Sequence, residues 1–356
     1  MIFQNRKLSD DRSAGNPDAL QSELGLPFET GERSEGGDVP KREVNTRPSL
    51  CHPEASLGAS WQSDRFADRA RGIAGGNVAS HGEWTRLRFK RPFLKWAGSK
   101  FKILPEILAR LPQGNRLVEP FVGSGAVFLN AGYRENRVAD ANRHLIGTFL
   151  QIKMNLSETL AETDLLFVPE CNTEEAFYRL RAEFNADATP IPRHAALFIY
   201  LNRHCFNGLC RFNRSGHFNV PFGRYKGPVV PKKEILNFSV LAQKTEFASE
   251  NFLATMAHCQ RGDVVYCDPP YAPLTATANF TSYSTTDFGE SDQRALADAA
   301  SQLAAKGIPV VISNHDTSFT RELYAKAKCS YLSVQRYISC DSTNRAAAPE
   351  VVALFD

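Results

Sequence analysis

Asp268-Pro269-Pro270-Tyr271 follows the apolar run Asp263-Val264-Val265-Tyr266-Cys267 and puts a carboxylate, a rigid carbonyl and an aromatic face at one strand terminus. That combination suits an exocyclic amine on a flat base. The lone pair of such an amine is delocalised into its ring, so attack on a methyl donor needs acceptors that draw the nitrogen toward tetrahedral geometry. Asp268 and the Pro269 carbonyl can be those acceptors. Consecutive prolines fix φ and carry no N–H, which keeps the loop stiff with its carbonyls turned outward. Tyr271 offers a surface on which an extruded base can stack. The plain alternative is an Asp-Pro turn closing a strand.

Upstream, Arg116-Leu117-Val118-Glu119-Pro120-Phe121 predicts a buried strand, and Val122-Gly123-Ser124-Gly125 turns into the helix-like Ala126-Val127-Phe128-Leu129-Asn130. The third glycine of the dinucleotide fingerprint is missing, with Phe128 in its place. Arg137-Val138-Ala139-Asp140 then predicts a second strand ending in an acid, near the spacing at which a carboxylate reaches a nucleotide ribose. Asp140 has a second possible role as a helix N-cap, because Asn142 and His144 follow it. A third segment, Lys95-Trp96-Ala97-Gly98-Ser99-Lys100, combines an indole, a flexible turn and two cations, and so can cover a purine and steer a carboxylate. Alone, it would pass for a surface turn with a packed Trp.

Taken in order, these segments resemble the D12 class of DNA adenine-N6 methyltransferases, most closely the Dam type that modifies GATC. The resemblance is carried by residues 93–100, 117–125 and 139–142, by the stretch from Leu201 to Lys226, by residues 268–271, and by Ser313-Asn314-His315-Asp316. It implies S-adenosylmethionine as donor, held by Trp96, Lys100, Asp140 and Asp268 with Phe121, Gly123 and Gly125 of the glycine turn. It implies catalysis by the loop Asp268, Pro269, Pro270 and Tyr271. It further implies that Arg211 reads a guanine, that Leu209 and Pro221 touch thymine, and that Lys95 approaches the other guanine. Phe206 would wedge into the duplex and Asn207 would meet the orphaned thymine. Arg181, Asn213, Asn219, Arg224 and Lys226 fall where the family holds phosphates. Two positions depart from the family: Phe206 replaces a tyrosine, and Ser99 replaces a glycine of the Trp-Ala-Gly-Gly-Lys segment. Monomer is the family's default.

The charge distribution agrees with a polyanionic partner. A formal charge of +3 says little, but no Asp or Glu occurs from Ala188 to Lys233, where eight cations stand. A second acid-free run lies between Glu83 and Glu106 and holds seven cations, among them Lys95 and Lys100. Asn207-Gly208 and Ser215-Gly216 are turn signals that make residues 205–226 a hairpin-rich ribbon, a shape that can enter a major groove.

These residues need a scaffold that brings strand ends together. Residues 145–200 predict helices with an apolar face at Leu156, Leu160, Phe177, Leu180 and Phe184. A helix is expected over Asp287–Lys306, capped by Thr286 and stopped by Gly307, followed by a strand over Ile308–Ile312. The expected fold is α/β: a Rossmann-like, S-adenosylmethionine-dependent methyltransferase sheet with an inserted helical and β-hairpin DNA-recognition subdomain. Its segments would be a disordered extension over 1–88, catalytic parts over 89–143 and 232–356, and a target-recognition insertion over 144–231.

Eight cysteines form no Cys-x-x-Cys pair and the histidines complete no ligand set, so no metal is expected and the thiols are read as free. His315 beside Asp316 is read as structural. With no signal-peptide core or transmembrane stretch in the sequence, a cytoplasmic protein acting on double-stranded DNA, without a membrane partner, is expected. The rival readings are a restriction-system enzyme with another target site, a protein-glutamine or RNA methyltransferase, and a DNA-binding regulator without catalysis.

Overall fold

The structure, a computed structural model, describes residues 89–273, 288–335 and 347–356. The extension over 1–88 and the cap at Thr286 lie outside the described residues. The elements in chain order begin with α1 (Leu104–Leu108), β1 (Arg116–Glu119), α2 (Phe128–Ala131), β2 (Glu135–Asp140), α3 (Arg143–Met154), α4 (Leu156–Leu166), α5 (Glu174–Ala186) and α6 (Pro192–His204). After the ribbon come α7 (Lys232–Ala242), β3 (Thr245–Ser249), α8 (Phe252–Ala257), β4 (Asp263–Cys267), α9 (Glu290–Ala305), β5 (Val310–His315), α10 (Ser318–Leu323), β6 (Lys328–Gln335) and β7 (Ala347–Phe355).

The strands form one seven-stranded sheet in the order β3-β2-β1-β4-β5-β7-β6. β1 through β5 run parallel, and β7 inserts antiparallel between β5 and β6. β4 is buried along its whole length, as befits a central parallel strand covered on both faces. Alternate residues feed two cores. Leu117, Val264, Tyr266 and Val311 join Phe149 and Phe238 on one face, while Val118, Val265, Cys267 and Ile312 join Leu296 and Met256 on the other. This is the expected Rossmann-like, doubly wound sheet.

The strand order has a consequence for function. From β1 the chain winds one way to β2 and β3, and it later returns to β4 on the other side of β1 before continuing to β5. The loops after β1 and β4 therefore diverge from neighbouring strand ends, and ligands of open α/β sheets bind at that switch point. Register puts Val118 beside Val265, so the glycine turn and the loop at Asp268 emerge side by side although about 145 residues apart in sequence.

Several predicted boundaries shift. β1 ends at Glu119, because Pro120 has no N–H with which to continue a ladder. Asn142, not Asp140, caps α3, its side chain accepting from the N–H groups of His144 and Leu145. α9 begins at Glu290, where Asp292 accepts the Gly289 N–H at 2.9 Å. β5 runs from Val310 to His315 instead of starting at Ile308; Pro309 precedes it and gives its carbonyl to Val265 N–H. In α4, Leu156 and Leu160 are only half-buried, whereas Phe177, Leu180 and Phe184 of α5 are buried as expected. No helix among the described residues is long and apolar enough to cross a membrane.

A buried histidine pair ties the ribbon to the helices. His144 Nδ1 of α3 lies 3.0 Å from His194 Nε2 of α6, and Phe212 of the ribbon stacks on His144 at 5.1 Å. Burial first, then the neighbouring His194 and Arg143, push the His144 imidazole down to about 4. His204, buried beside Lys95, is likewise pushed down to about 4. At neutral pH both rings are neutral in the folded and unfolded chain. As pH falls below about 6.5 the unfolded chain takes up protons that the folded one refuses, so stability is lost until about pH 4. The expected loss is roughly 3 kcal/mol for each imidazole, read against His144→Gln and His204→Gln because the raised pKa values of Glu119 and Asp140 act in the opposite direction. A denaturation midpoint that falls no more steeply in wild type than in those variants from pH 7 to pH 4.5 would contradict it.

Candidate active site and nucleic-acid interface

The loop after β4 is held rigidly. Asp268 Oδ1 accepts from Lys100 Nζ at 2.8 Å and from Ser313 Oγ at 3.1 Å. A serine has one proton to give, so the Tyr266 hydroxyl, 3.0 Å from Ser313 Oγ, donates to that oxygen. The loop backbone is tied as well. Gln293 donates to the Pro270 carbonyl at 2.7 Å, Asn314 accepts from Ala272 N–H at 3.0 Å, and His315 Nδ1 meets the Ala272 carbonyl at 2.5 Å. Asn314 also donates to Gln293 and to the Tyr324 hydroxyl, so these amides form one buried network. The Tyr271 hydroxyl donates to Glu350 at 3.0 Å, and His315 packs edge-on against its ring at 4.7 Å. His315 thus touches the loop at both Ala272 and Tyr271. Asp316 turns away to pair with Arg321.

The Lys100 ammonium lies 4.5 Å over the Tyr271 ring while bonded to Asp268 and to the Gly98 carbonyl. A cation with N–H donors therefore touches both the carboxylate and the ring that the sequence assigns to a base amine.

The glycine turn and the tryptophan segment meet. A Cβ on Gly123, whose φ is +49°, would lie 3.0 Å from the Trp96 indole, so only glycine lets the indole lie against the turn. Asp140 accepts the Gly123 N–H at 3.1 Å and the Asn142 N–H at 2.9 Å, and burial raises its pKa. Phe128, in place of a third glycine, fills the space beside Gly125: a Cβ there would lie 2.3 Å from the Phe128 ring. Phe121 stacks on Phe252 at 5.4 Å. Ser99 has φ −52°, open to any residue, and its hydroxyl accepts from Ser124; the left-handed position belongs to Gly98. The departure from the family's glycine therefore introduces no backbone strain.

The ribbon is a hairpin closed by single antiparallel bridges, Cys205 to Phe222 and Phe212 to Phe218. Phe206 and Asn207 are exposed beside the Cys205–Phe222 bridge at its base, Phe206 at 51%. Asn207 takes φ +54°, and its N–H donates to the Tyr225 hydroxyl. The Lys95 ammonium sits 5.0 Å over the Tyr225 ring, its pKa lowered by burial and by nearby Arg203. Arg211 Nε donates to Asn219 Oδ1 at 2.9 Å. Asn213 closes the turn, its Oδ1 accepting from Ser215 and His217. Arg181 donates to the Val220 carbonyl, and Arg224, with φ +54°, pairs with Glu174 at 3.1 Å. Leu209 is half-buried, while Pro221 and Lys226 are exposed.

Residues 96–338, which span both the strand-end loops and the ribbon, match the D12 class N6 adenine-specific DNA methyltransferase family. The chain belongs to that family. It is 48% identical over 269 residues to a DNA adenine methylase of Escherichia coli K12, covering 76% of this chain and 96% of the relative. A DNA adenine methylase of Serratia marcescens is 46% identical over 270 residues, 76% of this chain and 100% of the relative. That of Vibrio cholerae El Tor is 44% identical over 270 residues, 76% and 97% respectively.

In this methyltransferase the structure adds residues that sequence reasoning missed. Glu119, at the end of β1, is 2% exposed, and its Oε1 has no hydrogen-bond partner among the described residues. Burial, reinforced by the Asp268 charge, raises its pKa well above the carboxylate range. An acid closing an apolar strand was the available signal. Tyr225 was flagged only by lying between Arg224 and Lys226. Gln293 and Asn314 carried no local signal, since their role depends on pairing across the fold.

Ser313→Ala removes the donor to Asp268 and strands the buried Tyr266 hydroxyl. Stability is expected to fall by about 1–3 kcal/mol, and kcat by roughly tenfold, as the carboxylate loses one of its two tethers. Denaturation together with single-turnover methylation checks both; an unchanged kcat would mean that the Ser313 hydroxyl is not needed to orient Asp268.

Proposed function

We propose that this methyltransferase transfers a methyl group from S-adenosylmethionine to N6 of adenine in double-stranded DNA, at GATC, after flipping the base. The observation that supports this most directly is that one ammonium, Lys100, touches the Asp268 carboxylate at 2.8 Å and the Tyr271 ring at 4.5 Å, where an amine on a flat base would sit, at the sheet's switch point. The donor site fits the molecule: an indole against a glycine turn, a carboxylate at the end of β2, and an unpartnered buried oxygen on Glu119. Trp96, Phe121, Gly123, Gly125 and Asp140 would hold the nucleoside, with Lys100 and Asp268 at the methionine end. Bound there, the donor would supply a sulfonium methyl to N6, sulfur keeping the electron pair of the broken C–S bond and N6 losing one proton to water.

The chain's own residues do the rest. Asp268 and the Pro269 carbonyl accept the two amine hydrogens and bring the nitrogen lone pair out of conjugation. Tyr271 stacks the adenine, its ring set by Glu350 and His315. Lys100 vacates the Asp268 and Tyr271 contacts as the base enters. Phe206 fills the gap in the duplex and Asn207 faces the orphaned thymine; the flip itself costs a few kcal/mol. Lys95 and Arg211 read the two guanines, Leu209 and Pro221 meet thymine, and Arg181, Asn213, Asn219, Arg224 and Lys226 line the phosphate track. Residues 89–143 and 232–356 form the catalytic part and 144–231 the reader, acting as a monomer in the cytoplasm.

The test is methylation of duplex oligonucleotides with labelled donor, one carrying GATC and one with the central adenine-thymine step changed. Adenine methylation confined to GATC supports chemistry and target together. Equal methylation of both removes the target, and methylation of neither removes the activity.

A further inference from the structure

Asn202, in the last turn of α6, is 0% exposed and makes an unusual set of bonds. Its Oδ1 accepts the Lys95 N–H at 2.8 Å, and its Nδ2 donates back to the Lys95 carbonyl at 2.7 Å. One side chain thus grips both backbone groups of a residue 107 positions away, as a neighbouring strand would. The same Nδ2 reaches the Gly208 carbonyl at 3.4 Å and Cys210 Sγ at 3.2 Å, on either side of Leu209. The amide orientation is fixed by chemistry, since Lys95 offers one donor and one acceptor and only a carboxamide answers both.

Further contacts close the same joint. Arg203 donates to the Phe93 carbonyl at 2.5 Å. A Cβ on Gly208 would lie 2.2 Å from Lys95 Cδ, so the stem of Lys95 runs directly over the reader turn. The segment that leads into Trp96 and Lys100 and the turn that leads into Arg211 are therefore pinned to each other through one buried amide.

We propose that Asn202 is the positioning residue for target specificity, fixing Lys95 and the Leu209–Arg211 segment in one register so that both guanines of the site are read as a unit. This rests on the roles given above to Lys95 and Arg211. A buried polar group bonded on all sides usually serves stability alone, so the test must read discrimination as well as activity.

The experiment compares kcat/KM on GATC and on duplexes altered at either guanine, for wild type, Asn202→Ala, Lys95→Ala, the double variant, and Leu180→Ala as a destabilised core control. Asn202→Ser serves if the alanine variant does not fold. Asn202→Ala is expected to reduce discrimination at both guanines by roughly tenfold. In the Lys95→Ala background it should add nothing at the guanine read by Lys95 and keep its effect at the one read by Arg211. A uniform loss of activity on every duplex, as expected for Leu180→Ala, would overturn the proposal. If Lys95→Ala alone leaves both discriminations intact, the assignment of Lys95 fails and the coupling with it, an outcome distinct from a silent Asn202.

Discussion

Asp268→Asn is expected to lower kcat by roughly 10²–10³-fold while duplex binding changes little. The substitution keeps the shape of the side chain and removes its charge and one acceptor face. Asp268 is fixed from two sides, by the buried Lys100 ammonium and by the Tyr266–Ser313 hydroxyl chain, so a proposed acceptor for the amine is already oriented before the base arrives. Lys100 and Ser313 both donate to Oδ1, so asparagine keeps its oxygen there and puts its NH2 in the place of Oδ2. The face left for the base amine then carries a donor where an acceptor stood. The reader lies on other elements, which is why binding should survive. Single-turnover methylation and anisotropy with labelled duplex separate the two quantities. A lost kcat with equally lost binding would mean that Asp268 supports the fold of the interface, and an unchanged kcat would remove it from the chemistry.

Lys100 complicates the experiment in a useful way, since neutralising Asp268 leaves a nearly buried ammonium without its carboxylate. Part of any loss could then come from Lys100 rather than from the missing acceptor. Lys100→Met, alone and combined with Asp268→Asn at saturating donor because Lys100 also lies at the donor, tests this: if the acceptor matters, Asp268→Asn costs the same factor in both backgrounds.

The site was legible in the sequence where its chemistry is local. The loop at Asp268, the glycine turn and Asp140 each carry their residue types within a few positions, and strand periodicity placed them at strand ends. Partners across the fold were not legible. Gln293, Asn314 and Asn202 act on backbone groups between 23 and 107 residues away, and nothing in their immediate surroundings marks them. Asp140 and Asn142 show a subtler limit. Two neighbouring residues can both cap a helix, and only the backbone path decides that Asn142 does so while Asp140 faces the glycine turn.

Charge was legible in outline and overstated in detail. The run from Ala188 to Lys233 contains no acid, yet α4 and α5 bring carboxylates to it through space. Arg193 pairs with Glu162 and Glu183, Lys232 with Asp164, and Arg224 with Glu174. Arg203 is half-buried, donating to the Phe93 carbonyl, and desolvation lowers its pKa. The positive face thus narrows toward the ribbon, where Arg211, Arg214 and Lys226 have no ion-pair partner among the described residues. A field confined there orients a duplex better than one spread over the helices.

Arg211→Ala is the sharpest test of that ribbon. The guanidinium is held at one edge by Asn219, whose Oδ1 accepts from Nε and whose carbonyl lies 3.5 Å from a terminal nitrogen. This leaves the remaining N–H groups as a preset fork for O6 and N7 of a guanine. Losing a bidentate contact of this kind costs about 1–3 kcal/mol of discrimination, or roughly 5- to 150-fold at that base pair. Lys226→Ala, at a proposed phosphate contact, should instead weaken all duplexes alike and flatten the salt dependence. Arg211→Lys keeps the charge without the fork and should recover nonspecific binding but little of the discrimination. Asn219→Ala removes both the partner that orients Arg211 and a proposed phosphate contact, so it should lower discrimination more weakly than Arg211→Ala and also weaken all duplexes. Kinetics on duplexes altered one base pair at a time resolves these patterns: a uniform loss for Arg211→Ala would move it to the phosphate track, and the guanine would then need another reader among the ribbon's side chains.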